Sequence, residues 1–271
     1  MQKESLKCAE YPRFRVHWSV KLLGLAWAVA LVFIIGMVIG GMLGFVEEPP
    51  EGAANEAAEQ SEYRVLEVSC LDQRGEFPTG CESVTAVMAL NYAGVDISAG
   101  DFVDLYLPKG SAPYESNGEA PYSVNAEYLC ADPNEYFLGD PRSEGGWGCY
   151  APVIKSAVLA VLKDHGSERE VLDLCGLDMA ELVDGYIAKG IPVMVWATQG
   201  MEEPRYGDTL TVEGSGRQFD WIRPEHCLLL VGEGEGEYLF NDPLEGKTVA
   251  YGKKAVERAY EAQGRQALAI R

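Results

Sequence analysis

Apolar and polar positions divide this chain at about residue 63. Before it lies one uninterrupted apolar run, Leu22 to Val46, with no charged residue. At about 1.5 Å per helical residue the run exceeds the roughly 30 Å hydrocarbon layer of a bilayer, which predicts a tilted transmembrane helix. It is apolar on every face, unlike a core helix of a globular domain. Beyond residue 63 the periods are shorter and mixed. Tyr63 to Ser69 alternates as a strand does. Residues 79–93 read as a helix, and 98–107 as another, opened by Ser98 with Asp101 three positions on. Residues 108–150, rich in Pro, Gly, Asn, Tyr and Ser, read mostly as loop. Val153, Ile154, Ala157, Val158, Val161 and Leu162 recur at helical spacing within 151–165. Asp178 reads as the cap of a helix ending at Gly190, and Ile191 to Thr198 as a buried-type strand with Pro192 at its start. His226–Gly232 and Glu237–Asp242 flank a Gly-Glu-Gly turn. Thr248–Tyr251 then predicts a strand, Lys253–Ala262 a helix and Gln266–Ile270 a last strand. A helix-rich half followed by a strand-rich half predicts an α+β fold rather than an alternating parallel sheet.

Charge orients the apolar run. Lys3, Lys7, Arg13, Arg15 and Lys21 precede it, and Glu47, Glu48 and Glu51 follow it. Basic flanks stay on the cytoplasmic side, so the expected topology is a cytoplasmic tail (1–21), a membrane helix (22–46), an acidic linker (47–62) and an extracytoplasmic domain (63–271). A cleaved signal peptide is the rival reading, although its apolar region normally spans only about 7–15 residues. Gly36, Gly40 and Gly44 recur every fourth residue, a stripe suited to a homodimer contact between membrane helices. Beyond residue 46 the chain carries 17 basic and 40 acidic residues, a net of −23. Such a domain repels a polyanion, so no nucleic-acid partner is expected.

The candidate chemistry begins at Cys81. Thr79 and Glu82 have the spacing of a capping box, which predicts the N-cap at Thr79 and Cys81 on the second helical position. Unpaired N–H groups and the positive end of the helix dipole favour thiolate there. A cysteine at the start of a buried helix also serves for packing, and Cys81 alone does not decide between the two. His226 bears on the choice. His17 precedes the apolar run and His165 ends a helix beside Gly166, whereas His226 opens the apolar strand 227–232. A nucleophilic thiol needs a base within hydrogen-bond reach. Asp242 lies as far after Gly234 as His226 lies before it, so a hairpin turning there predicts the two directly opposed on one face. An acceptor so placed orients the imidazole. A slip of one residue would reverse the faces, and Asn241-Asp242-Pro243 is also a turn signal. For an oxyanion the donors would be the Cys81 N–H and the Gln73 amide, with an exposed loop glutamine as the other reading of Gln73.

These residues resemble a family. Gln73, Pro78-Thr79-Gly80-Cys81-Glu82, Gly146-Trp147-Gly148, Ala151-Pro152, Gly190-Ile191-Pro192-Val193, Glu225-His226-Cys227 and Asn241-Asp242-Pro243 are similar to cysteine peptidase family thirty-nine, in its stand-alone branch. Better known relatives process bacteriocin leaders. The resemblance covers about residues 63–271. It implies a papain-like fold, with Cys81 as nucleophile, His226 as base, Asp242 as orienting residue and Gln73 as oxyanion donor, acting on a peptide or protein substrate. No transporter or ATP-binding segment follows, so coupled leader removal and export is not implied. A non-catalytic scaffold and another thiol acyl transfer, such as transpeptidation or cell-wall amide hydrolysis, are the competing classes.

Seven cysteines are present, six of them after residue 46. Their spacing matches no zinc motif, and neither metal nor cofactor is expected. Cys130 with Cys149 is the candidate disulfide. Trp147, Trp196 and Trp221 are candidates for a cleft wall, although Trp196 sits in an apolar strand and suits the core better.

Overall fold

The computed structural model describes residues 64–115 and 128–271. The apolar run 22–46, the linker 47–62 and the stripe of Gly36, Gly40 and Gly44 lie outside the described residues. Among the described residues, no helix is long and apolar enough to cross a membrane.

In chain order the elements are β1 (Arg64–Val65), α1 (Cys81–Tyr92), β2 (Lys109–Gly110), β3 (Tyr114–Glu115), β4 (Tyr128–Cys130), β5 (Phe137–Leu138) and α2 (Ala151–Asp164). They continue with β6 (Val171–Asp173), α3 (Met179–Gly185), β7 (Val193–Thr198), β8 (Arg205–Val212), β9 (Gln218–Arg223), β10 (Glu225–Gly234), β11 (Glu237–Asp242), β12 (Lys247–Gly252), α4 (Lys253–Ala262) and β13 (Ala267–Ile270). The main sheet runs β12-β11-β10-β7-β13-β6, with β1 added against β10, and all its pairings are antiparallel. The expected α+β architecture is therefore present.

The central strands are covered on both faces. β7 is buried throughout and β10 at its first eight residues. The two-residue period of a strand sorts their side chains. Cys227, Leu229 and Val231 join α1 and α2 in one core, while Leu228 and Leu230 join α3 and α4 in the other. Burying each such aliphatic side chain contributes roughly 1.5–3 kcal/mol. The helix α1 is itself interior, buried from Cys81 to Leu90, polar residues included. Thr85 Oγ1 donates to the Cys227 carbonyl at 3.1 Å, which ties the helix to β10.

Several expectations need correction. The N-cap of α1 is Gly80, not Thr79, and Cys81 is the first helical residue. Thr79 Oγ1 donates instead to the Ser143 carbonyl at 3.0 Å. The helix expected at 98–107 is a short α turn, Ala99–Asp101, running into a π turn, Phe102–Tyr106, although Ser98 does accept from the Asp101 N–H. Pro108 disfavours helical backbone at Leu107 and ends the segment there. The helix capped by Asp178 stops at Gly185; a 3-10 turn carries the chain on to Gly190, at φ 80°. The strand expected at Tyr63–Ser69 is limited, among the described residues, to Arg64–Val65. Segment 108–150 is more than loop. β4 lies parallel to β8, which pairs with β9, in a second sheet ordered β3-β4-β8-β9. Cys130 and Cys149 are both free thiols, buried in separate clusters, so the expected disulfide does not form.

Candidate active site

The start of α1 and the start of β10 open onto one cleft of about 360 Å³, whose lining includes Cys81, His226, Gln73, Trp147 and Trp221. Trp196 is fully buried in the core, with its indole N–H donating to the Cys149 carbonyl. Gly80 is required where the chain turns into α1. A Cβ on it would stand 2.8 Å from that of Phe77 and 3.1 Å from that of Pro141.

The imidazole of His226 is held by Asp242, with Nε2 and Oδ1 2.7 Å apart and both side chains buried. The hairpin does not deliver this by direct opposition. Leu229 faces Asn241, a bulge lies between Leu230 and Gly232, and Gly234 faces Glu237. Extending that register puts Leu228 opposite Asp242 and His226 one diagonal step away. The slip is two residues, which keeps the face, and a diagonal neighbour remains within reach of long side chains. The turn reading of Asp242 also holds, because the same Oδ1 accepts from the Leu244 N–H at 2.9 Å. Oδ2 accepts from Tyr251 Oη at 2.8 Å. Burial works against the charged carboxylate, but the bonds from His226, Tyr251 and Leu244 outweigh it and hold Asp242 below the usual aspartate range.

Gln73 is buried, which removes the exposed-loop reading. Its N–H donates to the Pro243 carbonyl, immediately after Asp242, so the loop before α1 is fastened to the end of β11. The amide Nε2 lies 3.3 Å from the Phe77 carbonyl and 3.2 Å from that of Pro78, while Oε1 is buried without a partner. The backbone N–H of Cys81 is one of the first-turn donors that find no acceptor within a helix.

The thiol itself does not bond to His226. Cys81 Sγ donates to Glu82 Oε2 at 3.2 Å. Glu82, the residue expected to cap the helix, instead turns inward and accepts from the Cys149 N–H at 2.6 Å. Glu225 comes up beside it, and ligand atoms of Cys81, Glu82 and Glu225 all lie within 4.8 Å of one another. Gly148, at φ 140°, makes room for both carboxyls. A Cβ there would lie 2.6 Å from Glu82 Oε1 and 2.9 Å from Glu225 Oε2.

Burial pushes Glu82 up to about 7, against the pull of its hydrogen bonds, and pushes Glu225 well above the carboxylate range with Glu82 adding to the effect. Burial and then the two carboxyls raise the Cys81 thiol well above its usual value. Burial thus opposes the favourable helix start and disfavours thiolate at Cys81. Sequence reasoning missed this acidic pair. Its one visible sign was a charged residue immediately before His226 on a strand otherwise apolar.

A thiol at a helix start, an imidazole fixed by a carboxylate and a shared cleft are the groups that thiol-hydrolase chemistry requires. Residues 65–268 match the Peptidase_C39 like family, and the chain belongs to that family. The fold is also similar to a crystal structure from Bacillus anthracis described as a "putative C39-like peptidase", with a TM-score of 0.61 at 21% identity, covering 78% of this chain and 98% of the other. No curated protein matches the sequence.

Proposed function

We propose that the chain is a cysteine peptidase that cleaves peptide or peptide-like amide bonds through Cys81, His226 and Asp242. The observation that carries this reading is the buried His226–Asp242 bond of 2.7 Å beside the cleft that Cys81 lines. An ionised Asp242 only accepts, so His226 Nε2 carries the proton in that bond and Nδ1 of the neutral ring is left as the base. The Cys81 thiol leaves Glu82 Oε2, Nδ1 takes its proton, and the sulfur attacks the substrate carbonyl. The tetrahedral oxyanion is met by the Cys81 N–H and by the Gln73 amide after it leaves one of its two carbonyls. The C–N bond breaks as His226 returns its proton to the leaving amine, and water then releases the acyl group from sulfur.

The apolar run 22–46 and its charge flanks support a further part of the proposal. The enzyme is held by a single membrane helix with residues 63–271 outside the cytoplasm, and the glycine stripe gives that helix a dimer contact. The substrate class in this reading is envelope-exposed peptide.

The test is labelling of the full chain with a thiol-directed amide-mimic inhibitor, followed by mass spectrometry. Modification at Cys81 should fall by about two orders of magnitude in His226→Ala, the usual range for loss of a general base. Equal labelling in the two proteins would overturn the reading.

A further inference from the structure

Three acidic groups converge at the start of α1 with no positive side chain among them. Cys81, Glu82 and Glu225 are all buried, and the ligand atoms they offer lie within 4.8 Å of one another. Glu225 Oε1 is buried and has no hydrogen-bond partner. An unpaired buried carboxylate is costly unless a proton or a cation meets it. A proton shared between the carboxyls would meet that need, with the thiol donating to Glu82 Oε2 as observed. A divalent metal would take all three groups.

We infer that Cys81, Glu82 and Glu225 form a site for a borderline-soft divalent cation, zinc or cobalt, at the mouth of α1. One thiolate and two carboxylates suit such an ion better than magnesium or calcium, which favour all-oxygen shells. Zinc bonds of ~2.3 Å to sulfur and ~2.1 Å to oxygen, set tetrahedrally, place ligand atoms roughly 3.4–3.6 Å apart. The observed Sγ–Oε2 separation of 3.2 Å already approximates one such edge. Gly148 keeps the space between the carboxyls open, and the cleft side, where Cys81 lies, leaves the fourth position to water. Binding exchanges the thiol proton, and any carboxyl proton, for the metal and releases it to solvent. The ion then occupies the sulfur that the peptidase reading uses as nucleophile, so on that reading the metal is a reversible inhibitor. Coordination itself does not depend on that reading.

The spacing of the cysteines gives no sign of this site, because its ligands come from positions 81, 82 and 225. The experiment is titration of the reduced full chain with cobalt(II), following the near-ultraviolet charge-transfer absorption of a thiolate–cobalt bond, then displacement by zinc. One equivalent should give the band. Cys81→Ser should abolish it, Glu225→Gln should weaken binding at least tenfold, and Cys175→Ser, remote from the cleft, should leave it unchanged. Absence of the band in the wild type, or a band unaltered by Cys81→Ser or Glu225→Gln, would overturn the site. A band in a chain whose labelling ignores His226 would keep the metal site and remove the peptidase reading. His226-dependent labelling without a band would do the reverse.

Discussion

Asp242 reaches His226 diagonally across the β10–β11 ladder, at 2.7 Å, while its directly facing position is Leu228. The hairpin turns at 235–236, beyond Gly234, and the bulge after Leu230 takes back one residue, which leaves this net offset of two; Tyr251 and the Leu244 N–H complete the carboxylate's coordination. Asp242 thus joins a turn, a tyrosine on the next strand and the proposed base. Asp242→Asn keeps the volume and removes the charge that fixes the tautomer. It is expected to lower kcat about a hundredfold or more, with KM little changed. Asp242→Ala should in addition destabilise the fold by about 2–3 kcal/mol, because it leaves buried donors unpaired. Urea unfolding beside steady-state kinetics measures both, and an unchanged kcat in the Asn variant would dismiss the orienting role.

Gln73 distinguishes transition-state from ground-state contacts. As oxyanion donor, its loss by Gln73→Ala should reduce kcat by about 10²-fold, with little effect on KM. The same side chain braces the carbonyls of Phe77 and Pro78, so its removal also loosens the entry to α1. Gln73→Glu tests the difference. It fills the same space but offers no N–H when ionised, and should be as slow as the alanine variant. Restored activity in the Glu variant would mean that Gln73 only fills space.

The α+β class and the shared face of His226 and Asp242 were legible because each rests on local periodicity or on parity. The period of β10 and β11 is two, so a net register slip of two residues, the later turn less the bulge, left His226 and Asp242 on one face. Thr79 and Glu82 misled for the opposite reason. Their spacing satisfies the capping rule, but burial of α1 makes the interior Cys149 N–H the stronger claim on the carboxylate. The pairing of β4 with β8 joins segments about eighty residues apart, each too short to stand out by itself. The meeting of Glu82 with Glu225 is a tertiary event that no local pattern carries.

Gly148→Ala should show what that meeting requires. The added Cβ would fall within 3 Å of both carboxyl groups, at a backbone φ of 140° that side chains rarely adopt. A loss of about 2 kcal/mol or more is expected in chemical denaturation, from strain and displaced buried acids together. A variant as stable as the wild type would show that the two carboxyls move apart freely.

Glu82 makes the fold sensitive to pH in an unusual direction. Its carboxyl stands at about 7 in the folded protein, against an ordinary 4.5, chiefly through burial. Between those values the folded chain binds more protons than the unfolded one, so stability falls as pH rises through the window and levels off above it. Glu225, raised for the same reason, acts with the same sign. Asp242 is shifted downward, so its contribution is lost only as pH falls through the acid range below about 4, outside this window. Glu82→Gln retains an acceptor for the Cys149 N–H and cannot ionise. Its melting temperature relative to the wild type should therefore climb between pH 5 and pH 8, the gap opening where wild-type Glu82 becomes charged. Melting curves of the two proteins that stay parallel across that range would mean that the buried carboxyl does not titrate as its surroundings require.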